Sequence, residues 1–239
     1  MLSPEMTQIL GALHAGTGSG LDVGCVSVLG MDHLVVSLVV EGRVTEQLWS
    51  SGSVGASFED LQFTLGQGPG LDALRTSQAA VEHDVATVGA ARWPALVEAM
   101  AHLPIGAMFC LPLALGGITV GVLTALRASP GPMSGQEMDD ALGLASALTL
   151  QFLGGAGTRF ESWLDAQPDG ELHRAVVHQA TGMLSVQLAL PLGEALLRLR
   201  AYAYSHDRSI IEAAEDVVSR RLRLDDDGPE PESPKETKG

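Results

Sequence analysis

Lysine is almost missing from this chain: its only two, Lys235 and Lys238, stand within the last five of 239 residues. No Lys or Arg precedes Arg43, so the charged start of a secretory signal is absent and a cytoplasmic protein is expected. Cysteine is scarce as well. Cys25 and Cys110 sit in apolar, strand-like runs far apart in sequence, which describes neither a zinc knuckle nor a disulfide framework. They read as buried reduced thiols, with a redox-sensing pair as the alternative. Aromatic residues make up only 4% of the chain. The 22 uncharged residues from Ile105 to Leu126 are long enough to span a bilayer, but they lack an aromatic girdle and a basic flank. Pro112 and Gly116-Gly117 divide the run into two strand-length pieces, a hairpin signal, and no membrane partner is expected.

Catalytic and ligand constellations are missing too. Gly66, Gly68 and Gly70 have no Lys-Ser/Thr after them, so they suit a tight turn and not a phosphate cradle. His33, His83 and His102 are scattered singly, without partners at ligand spacing, and no metal site is expected. Glu82 with Asp84, and Asp139 with Asp140, come without a nucleophile and base; they read as acids in loops or on a solvated helix face, and no enzyme is expected.

What is abundant is apolar residue and acid. An apolar content of 46% suits a packed core in one or two domains. Residues 1–170 carry five Arg against seventeen Asp and Glu, net −12; residues 171–224 carry seven Arg against six acids, net +1; residues 225–239 carry two Lys against six acids, net −4. An acidic surface repels nucleic acid, which leaves residues 171–224 as the segment suited to a polyanion. The tail 225–239 lacks apolar residues to bury and is expected to be disordered.

Periodicity and turn residues predict an α+β class for residues 1–155, an antiparallel sheet with helices packed on it. Expected helices cover 3–15, 58–65, a short piece through Leu74, 93–102, and 134–152, the last opened by Ser134 and Glu137 at capping-box spacing. Expected strands are 25–29, 34–40, 44–49 and 79–82, with the hairpin within 105–126. The long helix carries Met138, Ala141, Leu142, Ala145, Leu148, Thr149 and Phe152. A stripe that broad is covered either by the chain's own sheet or by a second copy, and a homodimer through this helix and the entry helix 3–15 is the expectation. Gly154-Gly155-Ala156-Gly157 then opens a linker over 156–170.

Residues 171–224 read as three short helices. Leu172, Val176, Ala180 and Met183 recur at helical steps. Pro191 can start a second helix with Leu192, Ala195, Leu196, Leu199 and Ala203 as its apolar stripe. Ser209 and Glu212 have capping-box spacing before Ile210, Ala214, Val217 and Val218. With His178-Gln179-Ala180-Thr181-Gly182-Met183, Leu199-Arg200-Ala201-Tyr202-Ala203 and Ala213-Ala214-Glu215-Asp216-Val217-Val218, this segment resembles the ANTAR domain, an RNA-binding module of transcription antiterminators. Three positions depart from the family: Thr181 where a lysine is common, Pro191 where a serine or aspartate cap is common, and Asp207 where an asparagine is frequent.

Upstream, Leu65-Gly66-Gln67-Gly68-Pro69 leading into Asp72-Ala73, then Arg92-Trp93-Pro94, Leu111-Pro112-Leu113 and Gly121-Val122-Leu123, form an ordered series that resembles a GAF domain of the type preceding ANTAR in actinobacterial regulators. Gly70 stands where relatives often carry a cysteine. The two resemblances imply a signal-responsive regulator: a GAF-like sensor over 1–155, open to a small-molecule ligand whose identity no residue pattern discloses, followed by an ANTAR-like unit over 171–224. The unit is implied to bind paired stem-loop RNA in a nascent transcript and prevent a terminator from forming. Arg200 and Arg208 are the implied phosphate or base contacts, Tyr202 the stacking surface, and His206 an assistant. The alternative is a sensor or scaffold whose helical unit makes protein contacts without binding RNA.

Overall fold

The computed structural model describes residues 1–15, 23–40, 44–88, 92–154, 174–206 and 208–224. The linker expected over 156–170 and the tail over 225–239 lie outside the described residues. The chain divides into two units, Met1–Arg174 and Ala175–Gly239.

In the first unit the described elements run α1 (Pro4–Ala15), α2 (Val23–Val28), β1 (His33–Val40), β2 (Val44–Ser50), α3 (Ser53–Leu65), α4 (Pro69–Thr76), β3 (Ala80–Glu82), α5 (Pro94–Ala99), β4 (Ala107–Leu115), β5 (Ile118–Arg127) and α6 (Gly135–Leu153). The strands form one five-stranded sheet in the order β2-β1-β5-β4-β3, antiparallel in all its pairings. Side chains alternate across it, as strand geometry requires. Leu34, Val36, Phe109, Leu111, Leu113 and Leu123 enter one core with Met6, Leu29, Leu144 and Leu148. Met108 and Leu126 enter the opposite core with Phe58, Trp93 and Leu96, and Cys110 and Val122 meet Ala73. The sheet is thus covered on both faces by helices, the expected α+β class. The run Ile105 to Leu126 is the expected hairpin, with Leu115 paired to Ile118 around Gly116-Gly117. Among the described residues no single helix is long and apolar enough to cross a membrane.

In this unit four sequence expectations need correction. The strand expected at 25–29 is helix α2: Cys25, Val26 and Leu29 share one buried helical face, and packing overrides the β preference of its valines. Cys25 therefore belongs to one core and Cys110 to the other, on opposite sides of the sheet, which rules out pairing of the two thiols. The Ser134 capping box forms as expected, but Asp140 is not on a solvated face. It is buried and accepts from the Ser3 backbone N–H at 2.8 Å, fastening the start of α1 to α6. Leu148, expected on the pairing stripe, is only 2% exposed and packs in its own core. The outward side of α6 carries Leu142, which the expected stripe included, with Leu150 and Leu153, which it did not.

The second unit contains α7 (Ala175–Leu188), α8 (Leu192–Ser205) and α9 (Ile210–Val218), each packed against the other two. The Ser209–Glu212 capping box is present, and Pro191 caps α8 with no side-chain bond. The buried face of α7 is Val177, Ala180, Thr181 and Leu184; it shares Ala180 with the expected stripe but is turned one residue from Val176 and Met183, and the stripe's Leu172 lies outside the described residues. The reason is that apolar and polar residues of α7 are both spread around the helix, so spacing alone leaves its rotation undetermined.

Candidate functional site

Helix α3 gathers the buried polar chemistry of the first unit. Its Glu59 carboxylate, fully buried, accepts from Thr124 Oγ1 on β5 at 2.7 Å and from Gln62 Nε2 one turn along at 3.1 Å. Gln62 Oε1 in turn accepts from the Gly70 backbone N–H at 2.8 Å. This is why the loop needs its glycines: a Cβ on Gly68, whose φ is +145, would collide with the Gln62 side chain, and one on Gly70 would press on it. The loop closes on an amide of its own chain, as the tight-turn reading expects. Burial raises the Glu59 carboxyl above its ordinary value, opposed by the nearby Arg174 charge and by Thr124. Burial also pushes the Cys110 thiol well up, which makes it a poor nucleophile.

Arg174, the last residue of this unit, is buried with its guanidinium stacked 4.0 Å from the centroid of Phe63. Its Nη2 lies 3.1 Å from Asp60 Oδ1, and its backbone N–H donates to Glu46 Oε1 at 2.7 Å. Asp60 and Phe63 lie on the same helix as Glu59 and Gln62, so α3 connects the two clusters. Sequence reasoning passed over Glu59, Gln62, Thr124 and Arg174. Their one legible signal is a carboxylate and an amide three apart among Phe58, Leu61 and Phe63.

The motif residues of the opening segments have structural work. Trp93, in the left-handed region at φ 52, donates from its indole N–H to Asp72 at 2.9 Å, and Arg92 covers its ring and pairs with Glu82. Asp84 caps a short turn through the Ala86 N–H. Among the described residues no group of His, Cys, Asp and Glu could hold a metal.

In the second unit three of the four expected RNA-contact residues come together. Tyr202 and His206 stack with ring centroids 4.0 Å apart and planes 23° from parallel, one helical turn from each other at the end of α8. Arg208 follows, bound to Asp216 Oδ2 on α9 at 2.8 Å. This bond, with a smaller part from Tyr202, holds the Arg208 guanidinium further above its ordinary value. Asp216 also accepts from Arg221 Nε at 2.7 Å, and the two guanidiniums hold its carboxyl below the usual range, Arg208 foremost. Arg200 is half-buried and stands two residues from Tyr202, on a different side of the helix. Thr181, where the resembled family has lysine, is 8% exposed and donates its hydroxyl to Val177 O at 2.7 Å. It is an inward position, so the departure there removes no charge from the surface of this unit.

No family model matches the chain, and no curated protein matches it. It is similar to the GAF domain of a phosphoenolpyruvate-protein phosphotransferase from Coxiella burnetii, at 14% identity over 67% of this chain and 99% of that one, TM-score 0.47. The corresponding Acinetobacter GAF domain gives 12% identity, coverage of 64% and 94%, and TM-score 0.47. The free methionine-R-sulfoxide reductase from Neisseria meningitidis, solved with its substrate, gives 16% identity, coverage of 62% and 86%, and TM-score 0.47. At these identities and TM-scores the likeness assigns neither a family nor an activity.

Proposed function

We propose that this chain is a cytoplasmic, non-enzymatic regulator whose C-terminal unit binds paired stem-loops in nascent RNA, keeping a terminator hairpin from forming, under control of an N-terminal GAF-like sensor for a small molecule. The observation that supports it most is the convergence of Tyr202, His206 and Arg208 on one end of α8. A stacked aromatic pair beside a guanidinium matches the chemistry of unstacked loop bases and their phosphates. The charge pattern agrees, since residues 171–224 are net positive within a chain of net charge −15. The sensor in this reading works through α3, which ties the Glu59 network to Arg174. A second copy docks on the outward face of α6, where Leu142, Leu150 and Leu153 are exposed, and two protomers then hold two stem-loops together.

A gel shift with paired-loop RNA tests the reading. A complex that needs both loops, weakens with salt, and is weakened by Arg208→Ala supports it; no complex at low salt overturns it. One observation favours the scaffold alternative. The outer face of α8 exposes Leu197, at 64%, with Tyr204 two turns on, an apolar pair suited to a protein partner. That reading expects no loop-dependent complex.

A further inference from the structure

We infer that a groove on the C-terminal unit, between α7 and the turn after α9, seats one unstacked base of a single-stranded RNA loop, with Arg220 and Arg223 on the flanking phosphates. The inference rests on the RNA-binding reading and adds a second contact surface to it, separate from Tyr202, His206 and Arg208. The groove is open to solvent and offers about 800 Å³, a volume in the usual range of small-ligand sites. Its floor is Gly182, Met183, Val217 and Leu222, an apolar bed for the face of a base, with a polarizable thioether that adapts to shape. Gln179 and Gln187 line it too; Gln187 Nε2 already donates to the Leu224 carbonyl at 3.3 Å, which leaves its Oε1 and second amide proton, with the whole Gln179 amide, for base edges.

Two features of the backbone point to an occupant. Gly182 lies in the middle of α7, where glycine weakens a helix relative to alanine, yet a Cβ there would meet nothing within 4 Å. Packing among the described residues does not require this glycine, and the space over it is open to a ligand. Openness alone does not single it out, because Gly11 in α1 is equally open. Its place on the floor of a groove edged by two guanidiniums does. Arg220 is the second feature. It sits just past α9 at φ +60, in the left-handed region where helices end preferentially in glycine, and its side chain lines the groove. Arg221 beside it pairs with Asp216, whereas Arg220 and Arg223 have no carboxylate partner among the described residues. An apolar floor, amides at the edge and two guanidiniums fit a base with its phosphates. An acidic peptide engages the arginines alone.

Fluorescence anisotropy on the full chain with paired stem-loop RNA tests this. Gly182→Ala should raise the melting temperature of the second unit while weakening RNA binding by about tenfold, the scale of one lost base stack. Arg220→Gly relieves the left-handed strain and should leave the melting temperature equal or higher, yet lower affinity and reduce the salt slope by about 0.7. Removing single bases from the loop should identify one position whose loss weakens wild type but not Gly182→Ala. If wild type binds RNA and both variants bind equally well, the groove is not the seat and the RNA-binding reading stands without it. If wild type binds no RNA, both readings fall. If Gly182→Ala spares RNA binding but abolishes binding of a polyglutamate probe, the groove takes an acidic protein and the proposal is overturned.

Discussion

Replacing Glu59 with Gln preserves the shape of a buried side chain and removes its titration, and the consequence should depend on pH in one direction. The carboxyl is raised from an ordinary value of 4.5, chiefly by burial. The unfolded chain then releases this proton first as pH rises. The stabilising contribution is full below the ordinary value and is lost as pH climbs through the raised one. Glu59→Gln carries no such loss, so the variant should gain on wild type between pH 4 and pH 8. Glu59→Ala is the contrasting change. It leaves the Thr124 hydroxyl and the Gln62 amide without their acceptor and opens space in a packed interior, for a destabilisation of about 2–4 kcal/mol. In a unit of this size that lowers the melting temperature by roughly 5–15 °C. Trp49 and Trp93 lie in the first unit, and Tyr202 and Tyr204 in the other, so with Trp163 replaced by Phe tryptophan fluorescence in urea reads the first unit by itself. A wild-type minus Glu59→Gln difference that is constant from pH 4 to pH 8, or that moves in favour of wild type, refutes the reasoning. It would mean that Arg174 and Thr124 outweigh burial at this carboxylate.

Arg174→Met should destabilise the first unit by about 2–3 kcal/mol in the same urea assay, below the usual figure for a broken buried pair because Asp60 is partly exposed; Arg174→Lys should not rescue it, since lysine lacks the planar group that stacks on Phe63. Asp216→Asn frees Arg208 and Arg221 and should tighten RNA binding at low salt. Because those arginines hold Asp216 below its ordinary value, wild type should lose this stabilisation as pH falls through the lowered value, and the variant should not, as read by tyrosine fluorescence in an acid titration. Leu150→Glu, at a site 58% exposed, should convert a dimer to a folded monomer by light scattering, whereas Leu148→Glu should unfold the first unit.

The sheet was legible wherever a strand had punctuation at both ends. The hairpin of β4 and β5 is bounded by Pro104 and a two-glycine turn, and both capping boxes stand at the helix starts their spacing predicts, because these signals act within a few residues. Helix α2 was misread for the opposite reason. Six residues with three valines carry too little periodicity to separate helix from buried strand, and contact with α1 decides the matter. Asp140 was equally hidden, since its partner Ser3 stands 137 positions away and no local pattern announces such a bond.

The candidate site shows the same division between local and long-range information. Tyr202 and His206 are one turn apart on α8, so their stacking follows from helix geometry once the helix is recognised. The capture of Arg208 by Asp216 depends on how α8 packs against α9, and it changes what the arginine can do. An arginine already bonded to a carboxylate has a fixed direction and a weakened field, so it positions a phosphate at short range more than it attracts one from a distance. Long-range attraction then falls to basic groups without such a partner, and the one-residue phase of α7 decides where they act. With Val177, Ala180 and Leu184 inward, Gly182, Met183 and Val186 face the groove that Arg220 and Arg223 line. Rotating α7 to bury Met183 would remove the apolar floor beneath those two arginines, so the packing of one helix sets whether the basic end of this unit is a surface or a site.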